Sequence, residues 1–157
     1  MLINGGFESG ALAPWGSDGD VSLGPGRGSA NGVRMCGAND SSGELWQALL
    51  LPSADAAQLQ FWWRADSAAA QSGDLVDLMI NYGSGVARLY TMRAVEPLEL
   101  WRRAVIDLSA YAGMHVKLVF LGQTNATAPT LFRLDDASVR VCLGARELYL
   151  PLVVRRR

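Results

Sequence analysis

The chain has 157 residues, half of them hydrophobic and 18% charged, with a formal net charge of −1. That length suits one domain of about 100 to 200 residues and suffices to close a single apolar core. The weak charge excludes disordered acidic tails and basic surfaces that track nucleic acid. No stretch approaches the roughly 18 consecutive apolar residues of a membrane-spanning helix, so no membrane span is expected. The first twenty residues lack the basic and apolar regions of an export signal, so a secreted protein of this sequence would need a signal outside it.

Along the chain, short apolar stretches alternate with a period of two between joints rich in glycine and proline. This predicts strands over 33–36, 45–49, 58–65, 75–81, 87–91, 102–108, 115–121 and 131–142, with loops over 16–32, 37–43, 71–74 and 122–130. The one short helical candidate, 53–57, is too brief to shape a fold. About eight or nine strands without long helices predict an all-β protein, an antiparallel β-sandwich of the jelly-roll kind. The domain is expected over 1–143, followed by an apolar tail at 144–157 that ends in Arg155-Arg156-Arg157.

Alternation also assigns faces. Leu59, Phe61 and Trp63 point inward, as do Val76, Leu78 and Ile80, then Ala104, Ile106 and Leu108, then Val116, Leu118 and Phe120. The opposite parity turns Trp62, Arg64, Asp77, Met79, Arg103 and Lys117 outward. If their strands are neighbours, these groups share one sheet face. Phe7 and Trp15 read as plugs for the ends of the sandwich, and Tyr111 as a packed corner.

The available chemistry is limited. His115, the only histidine, opens an alternating strand and is expected to be an exposed or capping imidazole, not a catalytic one. Asp135 and Asp136 are adjacent on a strand and point to opposite faces, so they cannot flank one bond as an acid and base pair. No enzyme is expected. Cys36 and Cys142 have no metal-knuckle or CxxC spacing, which leaves one long-range disulfide or two reduced thiols.

Four segments carry a resemblance: Leu2-Ile3-Asn4-Gly5-Gly6-Phe7-Glu8-Ser9-Gly10 followed by Pro14-Trp15; the strand over 59–64; Asp107-Leu108-Ser109-Ala110-Tyr111-Ala112-Gly113; and Leu134-Asp135-Asp136-Ala137-Ser138-Val139. Together they resemble the galactose-binding-like jelly-roll domains of secreted bacterial proteins, a superfamily that includes many carbohydrate-binding modules. The resemblance implies an extracellular or cell-surface location and a non-catalytic module for polysaccharide or cell-surface glycan, with no nucleic acid as partner. A sugar needs an exposed aromatic ring beside hydrogen-bonding groups, so the expected ligand residues are Trp62, Arg64, Asp77, Asn81 and Arg103.

The resemblance also implies a structural calcium ion held by Glu8 and Asp135, with Asp136 as an additional ligand and carbonyls from 29–31. By alternation Asp135 shares the inward face with Ala137 and Val139. In related jelly rolls the strands of Cys36 and Cys142 are expected to lie close, and alternation turns both thiols outward, so a disulfide is predicted on export. The alternative function is structural. The segment 148–154 is apolar and of strand length, so it is expected to be buried against its own sandwich, in a neighbouring subunit by strand exchange, or in sorting or anchoring machinery that reads the tail; strand exchange would make a homo-oligomer, an extracellular fibre or a surface layer.

Overall fold

A computed structural model of the chain describes residues 1–69 and 73–144; the tail over 145–157, and with it each of the burials expected for it, lies outside the described residues. Ten strands form two five-stranded antiparallel sheets. The front sheet is ordered β1 (Gly16–Gly19), β4 (Ser42–Leu50), β9 (His115–Gln123), β6 (Leu75–Tyr82) and β7 (Gly85–Arg93). The back sheet is ordered β2 (Val21–Gly24), β3 (Gly32–Cys36), β10 (Thr130–Cys142), β5 (Ala56–Ser67) and β8 (Arg102–Asp107). The two strands β1 and β2 lie in a stretch read as a loop. Both are four-residue edge strands: β1, Gly-Ser-Asp-Gly, carries no apolar residue, and in β2 only Val21 and Leu23 alternate onto the core, too short a run to stand out from the glycine-rich stretch around it.

The expected inward sets make the core. Phe61 from β5 meets Phe120 from β9 edge-on with ring centroids 5.2 Å apart, which joins the two sheets at their centre. Phe7 and Trp15 close one end, their rings 5.7 Å apart, and the Trp15 indole N–H donates to the Asn4 carbonyl at 3.1 Å. Tyr111, in a single 3-10 turn, packs on Tyr82 at 5.1 Å. Burying each such side chain stabilises the sandwich by about 1.5 to 3 kcal/mol.

Two expectations are corrected by local backbone. The β10–β5 pairing shifts register between Asp135 and Ser138, where Asp136 adopts a left-handed φ of 51°. This bulge inverts the parity of the strand, so Phe132 and Leu134 point inward before it while Ala137 and Val139 pack on the core after it. Asp135 therefore belongs to the outer side, opposite Trp62, and is only 1% exposed because the β2–β3 loop covers it.

The disulfide is the second correction. Cys36 pairs with Leu131 near the start of β10, whereas Cys142 ends that strand eleven residues later. At roughly 3.3 Å per residue the two cysteines are about 35 Å apart, and a bridge needs Cα atoms within about 7 Å. Both thiols are free. Cys36, at φ 62°, is buried and comes against Gly122 rather than facing out; burial pushes its thiol up to about 11.

Candidate functional site

The groups expected on one face are divided between two. Trp62, Arg64 and Arg103 lie on β5 and β8 of the back sheet, whereas Asp77 and Asn81 lie on β6 of the front sheet. Topology separates them, because β6 pairs with β7 and β9 and never with β5 or β8.

On the back sheet Trp62 does not offer a free ring. The Arg27 guanidinium lies 4.1 Å from its centroid and is pinned by an ion pair with Asp136 at 3.1 Å. The Arg27 backbone N–H donates to Asp135 at 2.7 Å, which fixes the loop that carries it. Arg103 donates to Gln60, and Arg64 is held by Asp66. The loop doing the covering, residues 25–31, lies outside the stretches from which alternation gives any signal.

The outer face of the front sheet holds a different aromatic. Trp46 on β4 is half-buried and stands opposite Gly16 of β1 on one side and Val119 of β9 on the other. The ring fills the space of the missing Gly16 side chain: a Cβ there would lie 2.3 Å from the Trp46 ring. Val119 points outward yet is only 4% exposed, since Trp46 and Met79 flank it as cross-strand partners. The Lys117 ammonium is 4.6 Å from the Trp46 centroid, and among the described residues it makes no ion pair.

Beside this platform lies an open depression of about 570 Å³, bordered by Ala48, Leu50, Asn81, Gly83, His115 and Lys117. Asn81 is opposite Lys117 across β6 and β9, so an amide and an ammonium sit side by side next to an aromatic ring. His115 is exposed, as expected. Asp77 is already engaged, by the Thr91 hydroxyl and by Arg88 at 3.4 Å, and it holds the far side of the face in place. A ring with an apolar face and polar edges would meet an aromatic surface and donors here together.

A second cluster lies where calcium was expected. Asp135 Oδ2 accepts from the Arg27 N–H at 2.7 Å and from Ser29 Oγ at 3.1 Å, and Oδ1 accepts from the Asp136 N–H at 2.7 Å. Burial raises the Asp135 pKa above its usual carboxyl range. Glu8 accepts from the Asn31 N–H at 3.3 Å, and Asp136 turns its Oδ2 to Arg27.

No family model and no curated protein sequence matches the chain, so its likeness to other proteins is one of structure. A family 61 carbohydrate-binding module, TmCBM61, in complex with β-1,4-galactotriose superposes with a TM-score of 0.68 at 22% identity, over 89% of this chain and 97% of that one. The xylan-binding CBM22-2 domain of Paenibacillus barcinonensis Xyn10C gives 0.60 at 14%, over 87% and 97%. The K1 cleaved adhesin domain of the Porphyromonas gingivalis Lys-gingipain gives 0.63 at 18%, over 87% and 95%. The protein thus shares the β-sandwich fold of these domains, built here from two five-stranded sheets.

Proposed function

We propose that the protein is a non-catalytic, secreted module that binds a neutral polysaccharide across the outer face of the front sheet. The observation that carries this reading is Trp46, a half-buried ring anchored against Gly16 beside an open depression. A pyranose stacks its CH face on the ring with Lys117 at its hydroxyls, while Asn81 and His115 meet the next units of the polymer along the depression, about 13 Å of strand separating His115 from the position opposite Trp46. Lys117 is free to serve, because its one described interaction is with the same ring. The carboxylates do not converge there for catalysis: Glu8 faces Asn31, Asp107 caps Ser109, and Asp77 is held by Thr91.

Affinity electrophoresis in gels containing β-1,4-galactan or xylan tests the reading. Retardation in at least one of them is expected and should fall about tenfold or more in Trp46→Ala, since an aromatic contact contributes well over a kilocalorie per mole. Retardation lost in Trp62→Ala but kept in Trp46→Ala overturns it.

We also propose that calcium binds beside Gly26. Asp135 Oδ2, Ser29 Oγ and the Asn31 carbonyl all lie within 2.4 Å of the point a Gly26 Cβ would occupy. The single Ser29 hydroxyl proton faces two acceptors, the Asn31 carbonyl at 3.0 Å and Asp135 at 3.1 Å, and can serve only one. A cation taking these oxygens, with Glu8 alongside, resolves that conflict and neutralises a buried carboxylate. It would tie the N-terminal segment and the β2–β3 loop to β10. Melting in millimolar calcium and in chelator tests this, with Gly26→Ala expected to abolish the increment. An equal increment in the variant contradicts the site.

A further inference from the structure

The outer face of the back sheet is built for a different ligand chemistry from the front. Arg34 of β3 pairs with Arg133 of β10, and Arg133 pairs with Arg64 of β5, so three arginines stand in one row across three strands. Strands are about 4.8 Å apart, so the row spans about 10 Å. Like charges placed directly opposite destabilise a sheet, and one carboxylate, Asp66, answers two of the three cations, Arg64 and Arg133.

The way Asp66 answers them matters. It holds both Arg64 and Arg133 through their Nε atoms, with Arg133 at 2.7 Å, and both side chains are mostly covered. Gripped there, the guanidiniums keep a fixed orientation. The terminal nitrogens of Arg64 have no hydrogen-bond acceptor among the described residues. Arg34 is exposed and has no partner among them either, and its stem runs through the space left by Gly24, where a Cβ would lie 2.2 Å from Arg34 Cδ. A guanidinium fork matches a pair of carboxylate or sulfate oxygens.

We propose that this arginine row is a second binding surface, for an acidic polysaccharide bearing carboxylate or sulfate groups, independent of the neutral-sugar face. The choice of a glycan over other polyanions rests on the carbohydrate-binding reading; the anion chemistry rests on the row itself. The ligand lies across the strands, its acidic groups bridging Arg34 to Arg133 and Arg64.

Affinity electrophoresis of the full chain with polygalacturonate and with dextran sulfate tests it, in low salt and in 0.5 M sodium chloride. Retardation by at least one polymer in low salt is expected, weakened by salt, and reduced about tenfold in Arg34→Gln, which removes no intramolecular bond. Arg93→Gln on the edge strand of the other sheet makes the same charge change and should bind as wild type does. The proposal is overturned by no retardation, by equal losses in the two variants, or by an oligothymidylate that competes for the Arg34-dependent site as well as the acidic glycan does. Neutral-galactan retardation in Arg34→Gln, unaffected on this account, reports on the front face alone, so the two readings fail separately.

Discussion

Lys117 and Trp46 meet diagonally across β9 and β4, the ammonium 4.6 Å from the ring centroid. In water this contact contributes about 0.5 to 1 kcal/mol, little enough for a hydroxylated ligand to share it. Lys117→Gln is therefore expected to leave the melting temperature nearly unchanged while weakening neutral-glycan binding by about three- to tenfold. Affinity gels of the two proteins side by side measure it, and equal retardation shows that Lys117 does not reach the ligand.

Most of the sandwich is legible because its core strands alternate cleanly, as in Leu59-Gln60-Phe61-Trp62-Trp63. Trp46 is not, and Gln47 is the reason. In Leu45-Trp46-Gln47-Ala48-Leu49-Leu50 the even positions are uniformly apolar, yet it is Gln47 that is buried, donating to the Ile3 carbonyl at 2.9 Å and accepting from its N–H at 2.8 Å. A core glutamine that fastens the N-terminal segment reverses the apparent face of the strand. The split of the expected ligand residues has another origin. Alternation tells outward from inward but not which sheet a strand joins, and only long-range pairing puts Trp62 and Asp77 on opposite sides. The bulge at Asp136 is likewise a single left-handed residue with no period to reveal it.

The cysteines should behave as two unlike thiols. Cys142 is exposed, whereas Cys36 is buried with its thiol pushed up to about 11, so almost no thiolate forms there at pH 8. Iodoacetamide at pH 8 followed by non-reducing mass spectrometry is expected to find one alkylated site on the native protein, at Cys142, and two after unfolding. An unmodified, two-mass-unit-lighter chain would restore the disulfide.

If Asp135 holds calcium as proposed, it gives stability a pH dependence whose sign depends on the ion. Burial raises its pKa in the folded state above the ordinary 3.8. In chelator its stabilising contribution is therefore present below that ordinary value and lost as pH rises through the raised one. The melting temperature of wild type minus that of Asp135→Asn should then increase as pH is lowered from 7 towards 4.5. On the proposed site, saturating calcium would hold the carboxylate charged, and wild type should then exceed the variant at pH 7. A difference that ignores both pH and calcium contradicts the assignment.

Phe120 and Leu121 are sequence neighbours with opposite fates. Phe120 is 2% exposed and packs against both Phe61 and Trp15, whereas Leu121 faces outward at 39%. Phe120→Ala should cost about 3 to 5 kcal/mol in urea unfolding, and Leu121→Ala no more than about 1 kcal/mol. Comparable losses would mean that the strand is rotated or slipped.

The central claim is that neutral glycan binds on the front sheet at Trp46 and not on the back sheet at Trp62. The chain has five tryptophans, so five indole N–H signals report on it in a nitrogen-15 correlation spectrum. Assigned by single Trp→Phe variants and titrated with β-1,4-galactan or xylan oligosaccharides, the Trp46 signal should shift furthest, together with the amides of Asn81 and Lys117. The Trp62 signal should stay in place under its Arg27 cover. Shifts centred on Trp62 with Trp46 unmoved would contradict the account.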